Sequence, residues 1–265
     1  MCGIAGYSLS PDSPVERTLA AQALLAGIAE RGADAVGYAY REPGGPVRIT
    51  KLRGGASGLL EDVDLPPEAT HALIHVRDYT KGRPEIDANN HPIRHGCVVG
   101  IHNGVVENDD ALLAEYGIDR HDPEMTVDSE AIFALMEHRR HDVRALRELR
   151  GAMAAAWVDE RDHASLYLAR GLARPLWIGQ SEGALFFAST KRALAVVQAA
   201  TRARLALSEV REGRLLRVVD GSVARRHRFR PDRSYRETDA LPPVRAPHEG
   251  VSCLARIAMI TSASG

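Results

Sequence analysis

The order of the apolar runs limits this chain more than any other feature. Short strand-like runs come first, helical stretches follow, and strands then return, with no strand–helix–strand unit that repeats. Residues 3–9 (GIAGYSL) read as a buried strand, 36–42 and 47–53 as two strands joined through Pro43-Gly44-Gly45-Pro46, and 70–76 and 97–102 as further apolar strands. Helices are expected from near Asn108, Asp128 and Asp142. Strands resume near 152–158, 164–169, 175–180 and 184–189, a helix covers 190–200, and a hairpin pairs 214–219 with 222–229 through the favoured turn Asp220-Gly221. Blocks in this order give antiparallel sheets with segregated helices, an α+β layout and not a parallel βαβ sheet. An early helix is expected to open with Ser13 as N-cap, Pro14 in the first turn and Glu16 closing a capping box. Val15, Leu19, Leu24, Leu25 and Ile28 form its apolar stripe, and Gly32 ends it.

The whole chain has 265 residues, 45% hydrophobic and 26% charged, enough for one large domain or two small ones. Residues 1–240 are assigned to that domain and 241–265 to a C-terminal tail. The tail is polar and Pro-rich until an apolar stretch at 251–260, which is expected to dock on the domain or on a neighbour. A net charge of −1 favours neither nucleic acid nor a membrane surface as partner. Three cysteines without a CxxC spacing argue against a disulfide framework or a zinc knuckle and fit a reducing cytoplasm. The N-terminus lacks the pattern of a signal peptide, and no run approaches 18 apolar residues.

Four segments carry chemistry. A cysteine at position 2 is by itself only a small buried hydrophobe. A small second residue, however, permits removal of Met1, and the α-amine so exposed has an ordinary pKa of about 7.7–8.0, low enough to take a thiol proton near neutrality. One residue then supplies both nucleophile and base. Asn103-Gly104 reads either as a turn after a strand or as an oxyanion site, with the Asn103 amide and the Gly104 N–H aimed at one alkoxide. Arg77, leaving a strand, is either a surface charge or a fork for a substrate carboxylate, with the Thr80 hydroxyl beside it. Asp128 is either a helix N-cap or a carboxylate facing a substrate ammonium.

Together these segments resemble the class II glutamine amidotransferases. Met1-Cys2-Gly3-Ile4-Ala5-Gly6 is similar to that family's N-terminal motif, and Arg31-Gly32-Ala33-Asp34-Ala35-Val36-Gly37 to its RG-x-D-[SA]-x-G segment. His75–Gly82 (H-x-R-x-x-T-x-G), His102–Asn108 and Val127–Glu130 follow in the family's order, with weaker echoes at Gly151–Val158 and Leu185–Leu194. The resemblance covers about 1–230 and is closest to the glucosamine-6-phosphate synthase and amidophosphoribosyltransferase glutaminase domains. It implies a four-layer αββα N-terminal-nucleophile sandwich. It also implies that Cys2 attacks the side-chain amide of L-glutamine to give a γ-glutamyl thioester and ammonia. Asn103 and Gly104 would hold the oxyanion, Arg77 and Thr80 the α-carboxylate, Asp128 the α-ammonium, and Arg31 would stand beside the nucleophile. The chain departs from the sugar-phosphate branch at Asp78-Tyr79 and Lys81, where that branch has Trp-Ala and His.

His71/His75 and His91/His95 share an i,i+4 spacing, but no HExxH accompanies them and no metal or other cofactor is expected. His75 and His102 read as hydrogen-bonded structural histidines and Cys97 as inert strand core. The arginines of 211–233 read as solvated charges or a docking face. With no phosphate-binding loop motif in the sequence, the expected reading is a glutaminase subunit that feeds ammonia to a separately encoded synthetase. The alternatives are a γ-glutamyl amide hydrolase acting on another substrate, and a catalytically silent sensing or scaffold subunit. Homo-oligomerisation is left open.

Overall fold

The computed structural model describes residues 1–42, 44–237 and 242–263. Pro43 of the expected turn and the boundary at 240/241 fall outside these residues. The strands are β1 (Gly3–Leu9), β2 (Ala35–Arg41), β3 (Val47–Arg53), β4 (His71–Arg77), β5 (Ile93–His95), β6 (Val98–Val106), β7 (Gly151–Asp159), β8 (Asp162–Arg170), β9 (Trp177–Ser181), β10 (Ala184–Ala188), β11 (Ala206–Glu209), β12 (Arg214–Val219) and β13 (Ser222–Arg228). The helices are α1 (Arg17–Ile28), α2 (Asp109–Tyr116), α3 (Glu130–His138), α4 (Lys191–Thr201) and α5 (Pro247–Ala263).

The strands form a seven-stranded sheet, β11-β9-β10-β1-β4-β2-β3, and a six-stranded sheet, β13-β12-β8-β7-β6-β5. All the strand pairs are antiparallel. The period-2 alternation of side chains builds four layers. Ile4, Leu73, Ala154, Ala156 and Val158 point into the core between the sheets. Their neighbours Ala5, Tyr7, Ile74 and Val76 point outward, under the layer containing α1, α4 and α5. On the opposite side Met153, Ala155 and Trp157 pack under Ile132, Phe133 and Met136 of α3. The α+β reading and the αββα sandwich therefore hold.

Local chemistry changes several details. Glu16, not Ser13, caps α1, its carboxylate accepting the N–H groups of Thr18 and Leu19. The helix starts at Arg17, three residues later than a Ser13 cap requires, so Glu16 is the residue placed to meet the first orphan amides. α1 is buried on nearly every face and not along a single stripe, because α4 and α5 both pack on it. The helix expected near Asp142 is a 3-10 turn, Val143–Arg147, capped by Asp142. Asp220 and Gly221 both take positive φ, +47° and +70°, as the tight hairpin turn requires. Cys97 lies half-buried in the turn before β6, not in the strand core. Its N–H is held by the Glu137 carboxylate at 3.1 Å.

The apolar stretch at 251–260 is part of α5, whose Cys253 and Ile257 enter the α1 core. The start of α5 is clasped by Glu249, which accepts from Ser57 N–H at 2.7 Å and Ser57 Oγ at 3.0 Å. Ile257→Ala should lower unfolding free energy by about 2 kcal/mol, the low end for a buried isoleucine truncation. Urea titration, read as a shifted midpoint with an unchanged slope, checks this.

Candidate active site

Cys2 immediately precedes β1, whose Gly3 pairs with Val76 of β4. Registering β1 against β4 therefore sets Cys2 beside the residues that leave β4, Arg77 and Asp78. The Cys2 thiol lies 3.4 Å from the Asp78 carbonyl. Arg31, buried where the turn after α1 ends, donates from Nε to the Cys2 carbonyl at 2.9 Å. Gly32 lets this corner close: a Cβ there would stand 2.3 Å from the Arg77 carbonyl. Burial pushes the Cys2 pKa up, opposed by the N-terminal charge and Arg77. The resting thiol is neutral and needs a base.

No nearby imidazole is poised to be that base. Burial lowers His75 and His102 to about 3 and drives His91 well below its ordinary value. His75 Nε2 meets the His102 carbonyl at 3.1 Å and its ring stacks on His91 at 4.2 Å. His102 Nε2 faces the Ala152 carbonyl at 3.3 Å, an acceptor only, so it carries the hydrogen and Nδ1 accepts from Ser129 Oγ at 2.9 Å. These neutral rings are structural pins between β4, β6 and α3. The His91 and His95 side chains do not converge on a common site: His95 instead bonds Glu130 at 2.9 Å. Among the described residues no group of three or more His, Cys, Asp or Glu is arranged to hold a metal.

The His75–His102 bond brings β6 against β4 one residue before Asn103. Contrary to the expectation of a turn after the strand, Asn103 and Gly104 lie within β6, which continues to Val106. Asn103 is 1% exposed, and among the described residues neither its Nδ2 nor its Oδ1 has a hydrogen-bond partner. Gly104 has φ +151°, and a Cβ would stand 1.8 Å from the Ala152 carbonyl. Only glycine fits there.

Arg77 is buried, with Nη1 donating to Asn90 Oδ1 and Nη2 to the carbonyls of Lys81 and Gly82. Thr80 is exposed and makes no hydrogen bond among the described residues. Asp128 does not cap α3, whose N-cap is Ser129. Its Oδ2 instead accepts from Val106 N–H at 2.6 Å, across to the end of β6. Burial raises its pKa to about 6. Burial lowers the Arg77 pKa, opposed by the neighbouring Cys2 and Asp128. The three unusual residues are all tied: Asp78 to the N-terminus and Arg245, Tyr79 N–H to Asp34 at 2.9 Å, and Lys81 to Asp109 at 2.6 Å and Asp110 at 3.0 Å.

Comparison with known proteins identifies the domain that carries these residues. Residues 81–196 match the model of the glutamine amidotransferase domain family. A glutamine–fructose-6-phosphate aminotransferase of Oceanobacillus iheyensis is 31% identical over 195 residues, 69% of this chain and 31% of that protein. The Thermus thermophilus counterpart is 35% identical over 206 residues, 73% of this chain and 32% of that protein. The chain carries a class II glutamine amidotransferase domain. It spans about a third of the length of these curated relatives. A solved glutamine phosphoribosylpyrophosphate amidotransferase from B. subtilis shares the fold, with TM-score 0.68 at 22% identity over 86% of this chain and 49% of that one.

Within the amidotransferase domain, two groups around the site were invisible in the sequence. Asn90 sets the Arg77 guanidinium from 13 residues downstream, and nothing in the run Asn89-Asn90-His91 singles it out. Arg174, 2% exposed, is bound by both carboxylate oxygens of Glu237 at 3.0 and 2.6 Å. A separation of 63 residues leaves no periodic signal for such a pair. Arg77→Ala should raise the KM for glutamine tenfold or more, about the worth of a charge-assisted hydrogen bond, and leave kcat within about threefold. Steady-state kinetics of ammonia release test this.

Proposed function

We propose that this domain hydrolyses the side-chain amide of L-glutamine through a γ-glutamyl thioester on Cys2. The observation that carries the reading is a half-buried cysteine one residue from the chain's own amine, its thiol against the Asp78 carbonyl. After Met1 is removed, the Cys2 amine takes the thiol proton. The thiolate attacks the amide carbon, and the oxyanion accepts from Asn103 Nδ2 and the Gly104 N–H. The C–N bond breaks as the ammonium returns its proton to the departing nitrogen, releasing ammonia. Water then hydrolyses the thioester to glutamate and regenerates the thiol. Arg77 and Thr80 hold the α-carboxylate, Asp128 the α-ammonium, and Arg31 fixes the Cys2 carbonyl. Support comes from the Asn103 amide, unpartnered among the described residues, from the Arg31 bond to the Cys2 carbonyl, and from relatives named glutamine–fructose-6-phosphate aminotransferases.

We further propose that the ammonia passes to a separately encoded synthetase and that the protein works in the cytoplasm. No described helix is long and apolar enough to cross a membrane.

Hydroxylamine traps the proposed thioester as γ-glutamyl hydroxamate, and N-terminal mass spectrometry reads the processing of Met1. Hydroxamate from glutamine on a processed chain supports the reading. Hydroxamate only from other γ-glutamyl amides would assign a different hydrolase. None from any substrate, or retained Met1, would leave a silent subunit. Co-purification tests for the synthetase.

A further inference from the structure

Asp78 stands between the N-terminus and the segment that enters α5. Its Oδ2 takes the ammonium of Met1, its carbonyl faces the Cys2 thiol, and Arg245 Nε reaches its carboxylate at 3.2 Å. Arg245 is itself fixed. Its backbone N–H and that of Ala246 both donate to the Glu30 carbonyl at 2.9 Å, one residue before Arg31. Asp78 is not a turn cap, since its carboxylate accepts no backbone amide of its own loop among the described residues. The other charged groups facing this corner are Arg31 and Arg77 from the ends of α1 and β4, Asp34, and Glu237 held by Arg174.

We propose that Asp78 is a positioning residue for the amine that serves as base: once Met1 is gone, its carboxylate accepts from the Cys2 α-ammonium and fixes that group's rotation toward the thiol, while Arg245 holds the carboxylate in place. The proposal rests on the Cys2 reading above. An amine must be oriented to take a proton from its own side chain, and a free N-terminus rotates. A carboxylate alone would also favour the charged amine and so raise its pKa, keeping it protonated at neutral pH. Arg245 on the same carboxylate offsets that penalty. The C-terminal segment thereby completes the N-terminal site.

The test reads the amine directly. A Cys2→Ser background keeps a small second residue, and therefore a processed α-amine, while removing the thiol. Reductive methylation with 13C-formaldehyde then labels the three lysines and the N-terminus, few enough to resolve by NMR. Asp78→Asn should lower the α-amine pKa by roughly half a unit or more, Arg245→Ala should raise it, and Asp78→Glu should keep it near the parent value. In the Cys2 enzyme the acid limb of kcat/KM should move in the same directions, because the base must be deprotonated. Asp78→Asn should also cut kcat several-fold with KM unchanged. An amine that titrates alike in parent and Asp78→Asn overturns the assignment, whether or not the enzyme is active. Retained Met1, or full glutaminase activity in Cys2→Ala, instead overturns the reading on which it rests. Circular dichroism controls for folding.

Discussion

Cys2→Ala is expected to cut ammonia release from glutamine by about 10⁴-fold or more, with far-UV circular dichroism unchanged. Loss of a covalent nucleophile removes a whole reaction path and not merely one stabilising contact. Neither of the other two cysteines is placed to take over. Cys97 sits in the turn before β6 against Glu137, and Cys253 faces the α1 core from α5. The fold should survive, because Cys2 precedes β1 and its Sγ makes a single hydrogen bond, to Asp78 O. Activity within tenfold of wild type would remove Cys2 from the chemistry.

Asn103→Ala is expected to lower kcat by about 10²–10³ with little change in KM, the usual consequence of losing one oxyanion donor. The contrast with Arg77 separates the two roles. The amide oxygen gains charge as the thiolate adds, so a donor to it acts mainly in the transition state. The α-carboxylate keeps its charge throughout, so in the proposed role Arg77 would act in binding. A KM effect at Asn103 and a kcat effect at Arg77 would reverse the assignments.

What could be read from the sequence divides along physical lines. Strands whose two faces meet different layers announce themselves by alternation, and β1, β4, β7 and the β12–β13 hairpin lie close to where their patterns put them. β5 and β11, three and four residues long, were missed because so short a run carries no period. The α5 region read as apolar but not as helical, because the glycine and serines that interrupt it mask a face that only α1 defines. Within the site, the family motifs brought out Cys2, Arg31, Arg77, Asn103, Gly104 and Asp128. The structure joins Cys2 to Arg31 by a direct bond and sets Asp78, next to Arg77, against its thiol. It gives Thr80 no bond to any of them. Residues that act by bonding across long separations, such as Asn90, Arg174 with Glu237, and Arg245 with Asp78, have no local signature. Asp78, Tyr79 and Lys81 were noticed only as departures, and their anchors lie on four different segments.

The Asn103 amide has a thermodynamic consequence beyond its chemistry. A buried carboxamide with neither end bonded sacrifices hydration without recompense, a loss of about 1–3 kcal/mol for each unsatisfied group. A bound molecule that presents an acceptor to Nδ2 would recover part of that loss and raise the melting temperature beyond what its own surface burial provides.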